Sequence, residues 1–344
     1  MKPETTLITG ASGGIGHELA KLFARDHYNL VLVARSLGKL NQTAADLEEQ
    51  FGVTMKTVAL DLSAAPAPQF LFDQLQREGV AVDILVNNAG FGLFGQFASM
   101  PEEEILGQLH LNITALTHLT RLLLPPMLAR RRGKIMNVAS TAAFQPGPLM
   151  AVYYATKAYV LAFSEALANE VAGSGVVVSC FCPGATDTGF AKRAGTENSR
   201  LFKKLRPMNG EAVARDGYRG LMAGRTVVIS GMRNWLVAES VRFTPRKLVT
   251  AVRGGWRRKW SRTSRRRRTD LDYQSLRVAR LRAVSSDTVA TQPHRCECGL
   301  EDARFMHEHG RVVTLQIVSS VGGFHAGKFQ LQPERCAFYS GVSK

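Results

Sequence analysis

Tyr153 and Lys157 stand four residues apart in the run YYATKAYVLAFSEALANE, residues 153–170. On a helix that spacing puts both side chains on one face. A free phenol titrates near about 10, too high for an efficient base at neutral pH. A neighbouring ammonium favours the phenolate and lowers that pKa. Tyr153 can then give a proton to a carbonyl oxygen or take one from an alcohol. Tyr154 lies about 100° further round the helix and has Ala158 where a matching lysine would stand, so it is assigned to packing or a pocket wall. Ser140, thirteen residues before Tyr153, closes the run KIMNVAS. Its hydroxyl can bond the same oxygen and stabilise charge developing there. A serine at a strand end is also an ordinary cap, and Thr141 competes for the same task.

A second set of residues points to a nucleotide. TTLITGASGGIGHELAKLF reads as strand, glycine-rich turn and helix, with Gly10, Gly14 and Gly16 in G-x-x-x-G-x-G spacing. Without side chains they let the backbone turn sharply and let a pyrophosphate reach the positive end of the following helix. Ser12 and Ile15 belong to the same loop and are counted among its contacts. The second strand ends VLVARS. An acid there would accept from the ribose hydroxyls of NAD; Arg35 can instead clamp a 2′-phosphate, with Ser36 as a further donor. NADP is therefore expected over NAD. Asp61, in ALDLS, is placed to accept from the adenine amino group, with a plain turn aspartate as the alternative. The positive nicotinamide ring of an oxidised cofactor would add to the effect of Lys157 on Tyr153.

These residues need a scaffold. Strand-like runs occur at 5–9 (TTLIT), 29–34 (NLVLVA), 55–60 (MKTVAL), 83–88 (DILVNN), 134–140 (KIMNVAS), 176–182 (VVVSCFC) and 226–230 (TVVIS), with helical stretches such as EILGQLHLNITALTHLTRLLL between them. Nearly all-apolar strands separated by helices indicate an α/β fold: a doubly wound, Rossmann-type parallel sheet of about seven strands, covered on both faces. Ligands of such sheets bind at the carboxyl ends of the strands, where the candidates above fall.

Taken in order, TGASGGIG, NNAG (87–90), the asparagine of HLNITA, the serine of NVAS, YYATK and PGATDT make the sequence resemble the short-chain dehydrogenase/reductase family, over roughly residues 5 to 250. The resemblance implies reversible hydride transfer between a nicotinamide and a carbonyl/alcohol pair. It implies that Lys157 also holds the nicotinamide ribose, that Asn112 contributes its backbone carbonyl to a proton relay, and that Asn88 and Gly90 meet the cofactor. Pro183 and Gly184 would shape the turn beside the nicotinamide, and Thr188 would bond its carboxamide. The resemblance further implies a homodimer or homotetramer. A catalytically inactive NADP-binding redox sensor is the alternative, disfavoured by the intact serine, tyrosine and lysine.

Loops near the expected nicotinamide carry Phe91, Leu93, Phe94, Phe144, Leu149, Met150 and Phe190. They point to a lipophilic ketone, aldehyde, acyl substrate or secondary alcohol. Lys192, Arg193, Arg200, Lys203, Lys204 and Arg206 could form a basic lid for an acidic carrier, or a solvated face. The formal net charge of the 344 residues is +16, which raises nucleic acid and acidic membranes as partners. However, residues 1–252 hold 26 Lys/Arg against 20 Asp/Glu, and residues 253–344 hold 18 against 8. The charge thus concentrates in a C-terminal extension, which includes RGGWRRKWSRTSRRRR and resembles no nucleic-acid module. Residues 1–252 are read as one catalytic domain, and 253–344 as a poorly ordered basic extension with a hairpin-like stretch around Gly322–Gly323. His294, Cys296, Cys298, His307 and His309 lack zinc-knuckle spacing, so no metal is assigned. Five cysteines make no disulfide framework, and Cys180 and Cys182 read as strand packing. No secretory signal and no membrane-spanning run is found, and a cytoplasmic setting is expected.

Overall fold

All seven expected strands form, and they join one parallel sheet in the order β3-β2-β1-β4-β5-β6-β7. The computed structural model describes residues 3–195, 207–245, 247 and 249–250. The strands are β1 (Thr5–Thr9), β2 (Asn29–Ala34), β3 (Met55–Ala59), β4 (Ile84–Asn87), β5 (Gly133–Val138), β6 (Val176–Cys182) and β7 (Val227–Ile229). The order reverses between β1 and β4, which opens a crevice at their carboxyl ends. The extension from 253, its hairpin-like stretch and histidine/cysteine cluster, and Arg200, Lys203, Lys204 and Arg206 lie outside the described residues.

The helices are α1 (Gly14–Arg25), α2 (Leu37–Phe51), α3 (Ala67–Arg77), α4 (Glu102–Leu109), α5 (Leu116–Ala129), α6 (Ala151–Glu170), α7 (Phe190–Arg193), α8 (Gly210–Met222) and α9 (Met232–Ser240). Strand alternation sorts the core into two layers. Ile8, Leu30 and Leu32 join Leu19 and Phe23 of α1, Leu40 of α2 and Val213 and Leu221 of α8. Leu7, Val31 and Val33 join Leu71 of α3, Leu119 and Leu123 of α5 and Leu167 of α6 on the opposite face. Helices on both faces explain why the strand runs are apolar at consecutive positions.

Two expectations about element limits are corrected. β3, β4, β5 and β7 end one or two residues before the apolar runs do. At β4 and β5 the displaced residues bond outside the ladder: Asn88 N donates to Thr9 Oγ1 at 3.0 Å, and Ser140 starts a 3-10 turn over Thr141–Phe144. The helical stretch around Asn112 is also not one helix. A π-helical turn, His110–Ala115, separates α4 from α5. Such a turn carries a surplus residue within the helix, and here its Asn112 is buried against the crevice.

Candidate active site

The crevice is held together at its base by Thr9 and Asn88. Thr9 Oγ1 accepts from the backbone N–H groups of Asn88 (3.0 Å) and Ala89 (2.9 Å). Asn88 Nδ2 donates to the carbonyls of Thr9 (2.9 Å) and Gly10 (3.2 Å). Asn88, which the resemblance places against the cofactor, thus braces the glycine loop through its side chain. Gly10 turns with φ 67°, a left-handed conformation that glycine adopts freely. A Cβ at Gly16 would lie 2.4 Å from Gly10 O, so α1 can approach the turn only without a side chain there. Ile15 packs partly buried on the neighbouring core, and Ser12 is half-buried in the loop. No side chain caps α1 and no acid stands in its first turn. Its positive end is thus presented to an anion, which suits a dinucleotide pyrophosphate.

At the far end of β2, Arg35 Nη1 lies 3.8 Å from Asp61 Oδ2, with both side chains well exposed. The other Asp61 oxygen accepts from Ser63 N (3.0 Å) and Ser63 Oγ (2.7 Å), the geometry of a turn aspartate. Burial pushes the Asp61 carboxyl up, but the Ser63 bonds, aided by Arg35 and Arg193, outweigh it and hold the pKa low. Ser36 precedes α2 without capping it.

Tyr153 and Lys157 both sit on the buried face of α6. Lys157 Nζ donates to Val138 O at 2.7 Å and lies 5.8 Å from the Tyr153 ring centroid. Burial lowers the Lys157 pKa to about 8, against the opposing pull of Cys180 and Cys182. Burial also pushes the Tyr153 phenol up, while Ser140, as a hydrogen-bond partner, pulls it down. The expected depression of Tyr153 by Lys157 is therefore corrected for the chain's own residues: desolvation dominates, and the ammonium is turned to a backbone carbonyl. Ser140 Oγ accepts from Ala142 N (3.1 Å), so it is both a cap and a neighbour of the phenol. Its hydroxyl also points to Pro183 O at 3.4 Å.

Asn112 reaches in from the π turn. Its Oδ1 accepts from Phe91 N (3.1 Å), and its Nδ2 donates to Phe91 O (2.9 Å) and Thr156 Oγ1 (3.1 Å). Gly90 lies directly beneath, where a Cβ would stand 3.0 Å from Asn112 Oδ1 and 3.5 Å from Lys157 Nζ. The NNAG run and the tyrosine helix are therefore in contact through these residues.

The segment from Pro183 packs on both the glycine loop and Tyr153. Thr188 lies against Gly14, where a Cβ would come 3.2 Å from Thr188 Cβ, and its Oγ1 accepts from Phe190 N at 3.3 Å. Gly184 packs against Asn234 of α9. Phe190 brings its ring centroid 5.3 Å from that of Tyr153. Arg193, read as part of a basic lid or of a solvated face, lays its guanidinium 4.7 Å from the Phe91 ring centroid. Burial, then Arg35, pushes the Arg193 pKa down, while Asp61 opposes them.

Beside α6 lies a cavity of about 460 Å³ lined by Leu93, Phe97, Met100, Pro148, Leu149 and Val152, among others. Leu149 holds the rare left-handed φ of 66°, and its carbonyl accepts from Gly95 N at 2.8 Å. Met150, Phe94, Tyr154 and Phe190 pack around Tyr153. Phe144 instead packs with Leu116, Ala139, Val160 and the two strand cysteines.

Sequence reasoning missed the polar chain that seats α6. Asn87 Nδ2 donates to Asn137 Oδ1 (2.9 Å) and Thr120 Oγ1 (3.0 Å), and Asn137 Nδ2 donates to Ser164 Oγ (3.0 Å). The available signal was one asparagine in each of the runs DILVNN and KIMNVAS, and these prove to be register partners on β4 and β5.

Residues 4–199 match the family model described as short chain dehydrogenase. The chain belongs to the short-chain dehydrogenase family. A very-long-chain 3-oxoacyl-CoA reductase of Phaeosphaeria nodorum is 38% identical over 178 residues, covering 51% of this chain and 52% of that protein. The chain thus spans about half the length of such curated relatives. A short-chain dehydrogenase from Sphingobium yanoikuyae in complex with NADPH is similar in structure, with TM-score 0.64, 34% identity, and coverage of 70% of this chain and 93% of that one. A Burkholderia phymatum short-chain dehydrogenase/reductase in complex with NAD gives TM-score 0.62 and 25% identity over 69% and 92%. The short-chain dehydrogenase fold accounts for the NAD(P)-type crevice, and the two solved complexes contain different dinucleotides.

Proposed function

We propose that the protein is an oxidoreductase that transfers a hydride between NADP(H) and the carbonyl/alcohol pair of a lipophilic substrate. The observation that carries this reading is the convergence of Ser140, Tyr153 and Lys157, with apolar side chains packed around the phenol. When bound, the nicotinamide supplies the hydride to the carbonyl carbon or accepts it from the alcohol. In reduction Tyr153 Oη donates its proton to the carbonyl oxygen, and Ser140 Oγ hydrogen-bonds that oxygen as charge builds on it. A buried, protonated phenol suits this direction. Lys157 and Asn112 hold the helix face and the Phe91 loop that frame the reacting oxygen. Arg35 favours the 2′-phosphate of NADP, since an arginine rather than an acid directly follows β2.

The cavity supports a bulky, largely apolar substrate. The relatives named as 3-oxoacyl-CoA reductases favour long 3-oxoacyl thioesters among such carbonyls. The test measures NADPH consumption with bulky ketones, aldehydes and long 3-oxoacyl thioesters, with NADH as the paired cofactor. Turnover of apolar carbonyls with NADPH preferred is expected. Tight NADPH binding with no turnover across the whole panel would favour the redox-sensor reading.

A further inference from the structure

Apolar exposure is concentrated at one place far along the chain. Among the described residues, Met232 (73% exposed), Trp235 (45%), Leu236 (57%), Val237 (43%) and Phe243 (88%) are five of the eleven large apolar side chains left exposed. All five fall within α9 and the 3-10 turn Val241–Phe243 after it. Met232, Trp235 and Leu236 stand at i, i+3 and i+4 and so share one stripe of the helix. The opposite side of α9 is anchored: Ala238 is buried, and Asn234 Nδ2 donates to Ser230 O at 2.7 Å beside Gly184. The exposed stripe is therefore the outer surface of an element seated on the active-site loops.

The charge around this stripe is basic. Arg233, Arg242 and Lys247 are exposed, while the acid Glu239, which continues the stripe at i+4 from Trp235, is half-buried and paired with Arg242 at 3.2 Å. Three residues beyond Thr250 begins RGGWRRKWSRTSRRRR, with nine basic residues, two tryptophans and no acid in sixteen positions. Among the described residues no helix is long and apolar enough to cross a membrane. Methionine, tryptophan and leucine on one stripe, a phenylalanine exposed in the turn after it, and arginine and lysine in the same segment suit the boundary between anionic headgroups and acyl chains. A polyphosphate such as RNA would satisfy the arginines but leave the apolar stripe in water.

We propose that α9 and the turn after it dock the protein on the surface of an anionic phospholipid bilayer. This goes beyond the catalytic reading and does not depend on it. The stripe enters the headgroup boundary, the flanking arginines and lysine face lipid phosphates, and the active-site loops lie just behind the docked helix.

Flotation of the full chain through a density gradient tests this, with vesicles of phosphatidylglycerol and phosphatidylcholine compared with phosphatidylcholine alone. The wild type is expected to float with the anionic vesicles and to float far less with neutral ones. The triple variant Trp235→Ser, Leu236→Ser and Phe243→Ser should lose at least about tenfold in partitioning. Its NADPH affinity should stay unchanged, which shows that it is folded. Equal flotation of variant and wild type would overturn the proposal and assign the attraction to the basic extension. A wild type that stays at the bottom would overturn it too. In that case, a drop in the variant's mass by light scattering would assign the stripe to a second copy of the chain.

Discussion

The two walls of the crevice are built on different principles. On the glycine-loop wall, Thr9, Asn88, Gly10 and Gly16 are joined by hydrogen bonds and sub-van-der-Waals clearances that tolerate no added atom. On the substrate side, residues between Leu93 and Met100 and between Pro148 and Val152, most of them apolar, line about 460 Å³ of open space. The difference teaches where variation can be absorbed. A polar network with every bond made fails when one atom moves, whereas an apolar lining can be reshaped with graded effects. The dinucleotide wall is thus fixed, and substrate choice is left to the other.

Tyr153 joins the walls, and its loss should have the largest effect. Tyr153→Phe is expected to reduce turnover about 10²–10⁴-fold, with NADPH affinity unchanged by fluorescence titration; retained turnover would break the assignment. Next comes Gly16→Ala, which forces a methyl against Gly10 O. It should destabilise by about 1–3 kcal/mol in urea melts and weaken NADPH binding. A neutral result would show that the tight wall has slack.

Arg35→Ser should cut the preference for NADPH over NADH about 10–100-fold, the worth of a charge-assisted contact of about 1.5–3 kcal/mol. The ratio of kcat/KM values with the two cofactors measures this.

Lys157 allows a pH-resolved version of the comparison. Its folded pKa is lowered to about 8 from 10.5, so below 8 the native state carries a buried charge that disfavours folding. Between 8 and 10.5 the folded lysine is neutral while the unfolded one stays protonated, so wild-type stability gains over that window. Lys157→Met should therefore be more stable than wild type by about 1–2 kcal/mol at pH 7, with the advantage shrinking as pH rises past 8. Thermal melts at several pH values give the sign. The smallest effect belongs to the substrate side: Val152→Phe should raise KM for bulky ketones about tenfold while leaving NADPH affinity alone.

The sheet was legible because the central strands bury both faces, so their runs are nearly all apolar and their neighbours are helices. Tyr153, Lys157 and Ser140 were legible as types at a set spacing, and the structure does bring them together. What spacing did not convey was desolvation. The phenol is raised by burial, and Lys157 spends a bond on Val138 O, facts that depend on which side chains close over α6. Asp61 turned out to cap its own turn through Ser63, and Asn88 to brace Thr9 and Gly10, because short polar side chains find the nearest backbone partner first. Arg193 read as part of a charged surface, since nothing local signals that α7 folds back over Phe91. The surplus residue in the helix at Asn112 was equally invisible, because its effect on a regular apolar pattern is only one position wide.

That surplus residue makes the helix pair a counted device. Deleting any one position between His110 and Ala115 would let α4 and α5 fuse into a continuous rod with ordinary bonding. Because the wide turn absorbs one extra residue, the outward faces of α4 and α5 would keep their register, but the bulge that carries Asn112 toward the crevice would be lost. Asn112 could then no longer reach both Phe91 and Thr156. A shorter chain could thus fold with a smoother helix and a broken crevice, so helical regularity and catalytic geometry are opposed at this point.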